Sequence, residues 1–349
     1  MRTTIRALVA AWIMVPALVV GTLAAPPMAG LVAAAPAATV AEAEAQAQRQ
    51  LELMQFRLKM FHSETRSSML SSLDLPLFAG YLSLTESRRN RYDVLGQIQL
   101  TPTQNDLRKE MEVWVLVLHK RFPIAESCLV DKEGQEHMRV VGGKVQPSSL
   151  FSSEEGDTSF FGPTLRLSRG GVFMSDPYLS TDAYEWVTAF ASPVVSLDNE
   201  KLGFFHFEVP IAVYESVIRT REFAFVSNRD TAVDRDEEGR FFIMDGKGRL
   251  VADSRQETRY NIPMGHRLEK KRPDDQSADR VEDYLRPAAA ISADPDFAAA
   301  IESIQHGETG VVPLKLNGRF YVLAYGPVPD RPWTLLHLDP VNGEGFWEK

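Results

Sequence analysis

The clearest chemical signal in this chain is one carboxylate, Glu208, within an apolar run at residues 204–209, Phe-Phe-His-Phe-Glu-Val. Burying an ionised carboxylate without a partner is costly and in practice shifts its pKa. A glutamate in such a run therefore lies on the solvated face of a strand or against a pocket. Glu208 is the first candidate for a ligand contact, and an ion pair is the alternative.

The sequence lacks the common catalytic motifs. It has no Gly-x-Ser-x-Gly, His-Glu-x-x-His or Gly-x-x-x-x-Gly-Lys-Ser/Thr pattern, and its 7 histidines are dispersed. The single cysteine, Cys128, allows neither an intramolecular disulfide nor a thiolate metal cluster. We therefore expect a protein that is not an enzyme and that carries no cofactor.

An acidic stretch at residues 234–245 has the spacing of an EF-hand-type calcium loop. Acids stand at its first, third and fifth positions, Gly239 at the sixth and Asp245 at the twelfth. Recognisable flanking helices are missing, and residues 241–244 have the composition of a strand. A solvated acidic linker is the favoured interpretation, and no metal is expected.

Charge and the N-terminal residues indicate the compartment. The net charge of −9 argues against a nucleic-acid partner, which usually requires a basic surface. Arg2 and Arg6 precede an apolar run at residues 7–25, and no charged residue follows before Glu42. This pattern predicts export to the periplasm. Pro16 and the small residues favour a cleaved signal, with an inner-membrane anchor at residues 7–25 as the alternative.

A long helix is predicted over residues 42–72. Leu51, Met54, Leu58 and Phe61 follow helical spacing between polar residues. The favoured interpretation is a helix that packs along its own domain. A homodimer seam is the alternative.

The rest of the first half predicts helices that alternate with antiparallel hairpins. We expect a helix at 104–120 capped by Thr103 or Asn105, strands at 124–130 and 137–141, a loop at 147–171, a hairpin at 186–194 and 202–209, a short helix at 212–220 and a charged connector at 228–240.

The second half repeats the first in outline. Residues 242–249 repeat the strand, Asp, Gly-turn pattern of residues 129–135, and residues 320–328 resemble the strand at 187–194. Between them, Asp294-Pro295 predicts a helix start and Gly307 its end. The sequence thus predicts an α+β protein with tandem modules, each an antiparallel sheet flanked by helices.

These features together resemble the double Cache (dCache) sensor domains of bacterial chemoreceptors and sensor kinases. The resemblance rests on the long helix, the two Asp-Gly hairpins, the Ser175–Tyr178 turn, Ser192-Pro193-Val194 and the closing Pro-Trp-Thr-Leu-Leu at 332–336. It implies two PAS-like modules, with the ligand pocket in the membrane-distal one. The implied limits are a signal or anchor at 1–41, the long helix at 42–84, a distal module at 85–225, a connector at 226–240, a proximal module at 241–340 and a tail at 341–349.

The resemblance also implies site residues. Tyr178 and Glu208 match positions that hold a ligand amine, with Glu in place of the family's Asp. The family's Arg-x-Trp-Tyr element is similar to Thr158-Ser159-Phe160-Phe161, so the arginine that binds a ligand carboxylate is missing; Arg166 or Arg169 could replace it. Further candidates are the turn residue Asp176 and an aromatic wall of Phe160, Phe161, Tyr178 and Trp186 around an organic cation. Arg139 is expected to pair with a carboxylate as a structural residue.

The resulting expectation is an extracytoplasmic sensor for a small polar or cationic metabolite that signals through a membrane protein. One alternative is an exported interaction subunit with a vestigial pocket. Another is a fragment of a longer chemoreceptor or sensor kinase.

Overall fold

The computed structural model describes residues 40–84, 91–92, 98–153, 155–183, 185–219, 239–255, 287–291, 294–304 and 307–341. The predicted signal or anchor and most of the acidic connector, including the calcium-like loop up to residue 238, lie outside these ranges. Among the helices so described, none combines the length and the apolar composition needed to cross a membrane.

The long N-terminal helix α1 runs from Val40 to Leu73. Its predicted apolar stripe, Leu51, Met54, Leu58 and Phe61, is buried in the main core of the same chain. This packing supports the interpretation that the helix lies along its own domain. The helix ends before Pro76, which opens the short helix α2 (Pro76–Leu82), so the range 42–84 holds two helices.

The first half of the chain builds a seven-stranded antiparallel sheet, which with its helices we call the distal module. Its strands are β3 (Glu126–Asp131), β4 (Glu136–Val141), β5 (Lys144–Val145), β6 (Phe173–Met174), β7 (Tyr178–Leu179), β8 (Trp186–Val195) and β9 (Lys201–Pro210). Their order in the sheet is β5-β4-β3-β9-β8-β6, and β7 also pairs with β8. Two earlier strands, β1 (Arg91–Tyr92) and β2 (Ile98–Gln99), pair with each other.

Three further helices belong to this half: α3 (Pro102–Arg121), α4 (Phe161–Arg166) and α5 (Ile211–Arg219). The N-cap of α3 is Thr101, which forms a capping box with Gln104, so the predicted caps Thr103 and Asn105 are wrong. Pro102 at the first helical position favours this earlier start. The predicted loop at 147–171 contains α4 and two short 3-10 turns.

The second half builds a five-stranded antiparallel sheet, which we call the proximal module. The strand order is β11-β10-β14-β13-β12. The elements are β10 (Arg240–Met244), β11 (Leu250–Asp253), helix α6 (Pro295–Ser303), β12 (Gly310–Leu316), β13 (Arg319–Pro327) and β14 (Thr334–Val341). Asp294 caps α6 as predicted, but the helix ends at Ser303, before Gly307. The α+β fold class predicted from the sequence is confirmed, and the domain limits stay predictions.

The two faces of the distal sheet differ in chemistry. On the face toward α1 and α2, Leu129, Phe205 and Phe207 belong to the main apolar core, and Phe205 packs on Phe78 of α2 with ring centroids 5.0 Å apart. The alternate residues of the same strands point to the opposite face. That second face carries the candidate site.

Candidate functional site

Glu208 lies on β9, in the middle of the second face. Its cross-strand neighbours are Glu126 on β3 and Ala189 on β8. Two residues earlier, His206 is paired with Cys128 and Ala191. Since residues directly opposite in an antiparallel pair share a face, Glu126, Cys128, His206 and Glu208 form one polar block beside two alanines.

A β-bulge adds a third acid to this block, beside Glu126 and Glu208. The register of β3 and β4 shifts between Leu129 and Val130, so that Cys128 pairs with Arg139 and Val130 with Glu136. In a regular strand, Glu136 and Arg139 are three positions apart and would point to opposite faces. The bulge brings both side chains to the same face.

Arg139 connects the acids. Its Nε lies 3.2 Å from Glu126 Oε1 and its Nη1 lies 3.1 Å from Glu136 Oε2, while Nη2 pairs with Asp182. We call Glu126, Glu136, Asp182 and Glu208 the acid cluster. The three glutamates are at most 4% exposed. Arg139 thus pairs with three of the four carboxylates of the acid cluster, and it is the one guanidinium that the structure shows pairing with them.

This surplus of acid changes the protonation chemistry of the site. Burial raises the pKa of Glu208 to about 7, against an opposing hydrogen bond from Tyr178. Burial, and then the charge of Glu155, raises the pKa of Glu136 to about 8. The pKa of Glu126 is raised by burial and then by Glu208. Burial alone would lower the pKa of Arg139, but the neighbouring acids, Glu136 first, raise it.

Aromatic rings pack around Glu208 and His206. Tyr178 donates its hydroxyl to Glu208 Oε1 at 2.5 Å. The buried ring of Phe160 lies above Tyr178 and His206, with centroids 5.9 Å and 4.9 Å away. Phe161 packs on Phe204, 5.6 Å between centroids. Phe160 and α4 therefore form a lid over the part of this face that carries Tyr178, Phe204 and His206.

Two polar groups under this lid, the imidazole of His206 and one oxygen of Glu208, lack hydrogen-bond partners among the described residues. Neither ring nitrogen of His206 has a hydrogen-bond partner within the described ranges, although the residue is only 2% exposed. Burial lowers the pKa of His206 to about 3, so the imidazole is neutral and can both donate and accept. Glu208 Oε2 likewise has no partner of hydrogen-bond geometry among described groups; Ser180 donates to Glu126 Oε2 instead, at 3.4 Å.

A cavity of about 380 Å³ opens beside the acid cluster. Arg139 and Asp182 line the cavity, so it lies beside the ion pair that these two residues form. The remaining lining residues are Val141, Lys144, Gln146 and Leu150. This size lies within the usual range of small-molecule pockets.

The predicted site residues fall into two groups. Glu208, Tyr178, Phe160 and Phe161 lie together on the second face, as shown above. Trp186 lies in the main core. Val187, the next residue on β8, is paired with Tyr178 and shares its face of the sheet. Because side chains alternate along a strand, Trp186 points to the opposite face. Trp186 is therefore not part of this aromatic wall.

Neither predicted arginine takes the place of the family's missing arginine, which binds the carboxylate of a ligand. Arg166 is exposed at the end of α4, and Arg169 donates to the carbonyls of Val195 and Ser196. Asp176 is an exposed turn residue, 3.6 Å from Arg331 of the proximal module. The guanidinium at the site belongs to Arg139, which pairs with carboxylates as predicted.

The donor set Glu126, Cys128 and Glu136 would suit a metal, because its ligand atoms lie within 4.8 Å of one another. However, the single S–H of Cys128 has both glutamates within hydrogen-bond distance, at 3.2 and 3.3 Å, and Arg139 contacts the same two carboxylates. A cation already fills this space. Burial also raises the pKa of Cys128, which disfavours the thiolate that a metal binds.

The sequence interpretation missed Glu126, Glu136, Asp182 and His206 as site residues. The strand pattern could have revealed Glu126, because a strand that starts at residue 124 places Glu126 and Cys128 on one face. Glu136 was hidden by the bulge, and Asp182 reaches Arg139 from a loop.

No protein-family model matches the sequence, and no curated protein sequence matches it either. Solved structures do resemble the fold. The ligand-binding domain of Campylobacter jejuni chemoreceptor Tlp3 in complex with 4-methylisoleucine superposes with a TM-score of 0.53 at 12% identity, over 87% of this chain and 94% of that chain. A domain assigned to the sensory box/GGDEF family from Vibrio parahaemolyticus gives a TM-score of 0.52 at 14% identity, over 86% and 97%.

The fold is thus that of the sensory domains of bacterial signalling proteins. The resemblance to the double Cache sensor domains is confirmed at the level of the fold. The similar structures are ligand-binding or sensory domains.

Proposed function

We propose that the chain is an extracytoplasmic sensor whose distal module binds a small polar or cationic metabolite at the acid cluster. The observation that carries this proposal is the charge surplus. Arg139 pairs with Glu126, Glu136 and Asp182, and Glu208 lies directly across from Glu126. When all four carboxylates are ionised, these groups carry a surplus of three negative charges. Buried acids without a counter-charge either bind protons or bind a cation.

A ligand ammonium group meets the chemistry under the lid. Glu208 supplies the charge, Tyr178 and Phe160 supply aromatic faces, and the unpartnered His206 supplies one donor and one acceptor. A ligand with a cationic group and a neutral hydrogen-bonding group therefore satisfies the site best. The cavity beside Arg139 and Asp182 offers the route inward.

The location and the partner follow from the same proposal. The N-terminal pattern supports export to the periplasm, with or without an inner-membrane anchor. The signal then passes to a membrane signalling protein.

A second copy of the chain could bind through α1 only on the outer face of this helix, because the predicted seam is buried in the chain's own core. Leu53 and Phe56, which are 37% and 57% exposed, lie on that outer face. Light scattering of Phe56→Glu tests that dimer.

A thermal-shift screen tests the binding proposal. The full chain at pH 7.5 is heated with amino acids, primary amines, polyamines and small carboxylates. A ligand at ~100 times its dissociation constant adds about 2.7 kcal/mol, or roughly 5 °C in Tm. We expect a cationic compound to raise the Tm of the native sequence and not of Glu208→Gln, with Glu110→Gln, exposed on α3, as control.

One observation favours the interaction subunit as a second candidate. Arg139 already occupies three of the four acids, and Phe160 packs directly on His206. A pocket filled in this way could be vestigial. The absence of any stabilising compound in the screen would support that function instead.

A further inference from the structure

The loop between β13 and β14 of the proximal module packs against the distal module. Residues 328–333 form this loop, Val-Pro-Asp-Arg-Pro-Trp. His62 of α1 bonds to the carbonyl of Pro329 through Nδ1, at 2.9 Å, and to the hydroxyl of Tyr214 on α5 through Nε2, at 3.2 Å. Trp333 packs edge-on against Tyr214, with centroids 5.5 Å apart. The loop is thus wedged between α1 and the distal module.

Arg331 is the residue of this loop that reaches furthest. Its Nη1 donates to the carbonyl of Met174 at 2.7 Å, and its Nη2 donates to the carbonyl of Ser175. The guanidinium lies 3.9 Å from the centre of the Trp333 ring. Its side chain is 2% exposed. A cation of the proximal module is therefore buried against the backbone of a distal turn.

That turn leads directly to the acid cluster. Two hydrogen bonds join Ser175 to Ala189. The N–H of Ser175 donates to the carbonyl of Ala189 at 2.9 Å, and the N–H of Ala189 donates to Ser175 Oγ at 2.8 Å. Ala189 is the cross-strand neighbour of Glu208. Three residues after Ser175, Tyr178 donates its hydroxyl to Glu208. Two short routes therefore join the carbonyls held by Arg331 to the carboxylate of the proposed site.

The buried charge of Arg331 is stabilised by these carbonyls only while the turn keeps its position. The nearest carboxylate, on Asp176, is 64% exposed and 3.6 Å away, so it compensates the buried charge only in part. Nε of Arg331 has no partner in the part of the chain that the structure describes. If the turn moved, the guanidinium would lose two acceptors while still buried, which is strongly unfavourable. The turn and the loop therefore hold each other in place.

We infer that Arg331 is a positioning residue of the distal binding site, supplied by the proximal module, and that it couples site occupancy to the packing of the β13–β14 loop. The inference extends the proposed function, because ligand contact with Glu208 and Tyr178 would move the turn that Arg331 holds. Coupling between a site and a distant element requires such a differential contact. Coupling of this kind gives the proximal module a way to respond to the distal site.

Hydrogen exchange of the ligand-free protein tests the first part of the inference, that Arg331 holds the turn in position. Mass spectrometry follows peptides at residues 172–179 and 186–192 in the full chain. In Arg331→Met, we expect exchange in both peptides to accelerate about tenfold or more. Arg331→Lys, which cannot hold two carbonyls at once, should lie between Met and Arg.

Arg240→Met is the matched control. Arg240 is a half-buried arginine of the proximal module that pairs with Asp253 of the same module. If general destabilisation of that module were the cause, both variants would accelerate exchange in the distal peptides equally, and the inference would be overturned. Unchanged distal exchange in Arg331→Met and Arg331→Lys would overturn it as well. If Arg331→Met does not fold, the comparison of Arg331→Lys with Arg240→Met decides.

A binding experiment tests the second part, the coupling of the site to the loop. It uses the amine that gives the largest increase in Tm in the thermal-shift screen. We expect Arg331→Met to weaken its binding about fivefold or more, and the amine to slow exchange at residues 328–333. Unchanged binding and unchanged loop exchange would refute the coupling while the sensor function stands. If no compound binds but the distal exchange still depends on Arg331, the proposed function fails and the positioning role stands.

Discussion

Replacing Glu208 by Gln should stabilise the ligand-free protein, and by an amount that grows with pH. Burial raises the pKa of Glu208 from 4.5 to about 7. Below pH 4.5 the carboxyl is protonated in both the folded and the unfolded states, so its contribution to stability is fully present. That contribution is lost as the pH rises through 7, because ionisation is easier in the unfolded chain.

The magnitude follows from the two pKa values. A difference of ~2.5 pH units at ~1.36 kcal/mol each gives a loss of about 3 kcal/mol above pH 7. Linkage places about 1 kcal/mol of that loss at pH 5 already. The Tm difference between Glu208→Gln and the native sequence should therefore grow by roughly 4 °C from pH 5 to pH 8. The amide can still accept the Tyr178 hydroxyl, so the geometry is kept.

Thermal unfolding followed by circular dichroism at pH 5, 6, 7 and 8 measures this. Glu110→Gln, which changes an exposed residue of α3, should give a difference that does not vary with pH. A constant Tm difference for Glu208→Gln across the four pH values would refute the argument that Glu208 is buried with a raised pKa.

Three other predictions test the architecture of the site. Arg139→Met leaves the buried glutamates Glu126 and Glu136 without their cation, so urea unfolding should show a loss of about 3–5 kcal/mol at pH 8. The loss should shrink at pH 5, where Glu136 is protonated because its pKa is about 8. An equal loss at both pH values would contradict the cluster. Gly203→Ala would place its Cβ against the carbonyl of Val130 and 2.7 Å from Asp131 Cα. It should cost at least about 2 kcal/mol, whereas Gly80→Ala, with open space around it, should be neutral or stabilising; similar unfolding midpoints would show that the β3–β9 contact is looser. Trp186→Phe should leave any ligand-induced Tm shift unchanged, because the ring faces the main core, and loss of the shift would place it at the site.

The tandem fold was predictable because its signals are local. Hairpins with Asp-Gly turns, the helical spacing of Leu51 and Phe61, and the Asp294-Pro295 helix start all act within a few residues. Such signals fix the type of each element. They do not fix which strand faces pair across the sheet.

The site was predicted only in part because its composition depends on register. Glu208 stood out as an isolated charge, and Tyr178 followed from the family resemblance. Glu136 reaches the cluster through a bulge that strand parity does not anticipate. Trp186 was misplaced because aromatic type was given more weight than its alternation along β8.

The role of Arg139 illustrates a different gap. An isolated arginine on a strand predicts an ion pair, as found, but the number of acids around it depends on three strands and a loop. The resulting surplus of negative charge is a tertiary property. It is also the feature from which the proposed function follows.

The most direct test of that function is proton release on binding. Isothermal titration calorimetry at pH 7, in two buffers with different ionisation enthalpies, would use the amine with the largest shift in the screen. An ammonium group that binds at Glu208 must displace its proton, which at pH 7 is present on about half of the molecules because the pKa of Glu208 is about 7. We predict release of about half a proton or more per ligand bound. A binding heat that is identical in both buffers, or no binding by any amine of the panel, would contradict the account.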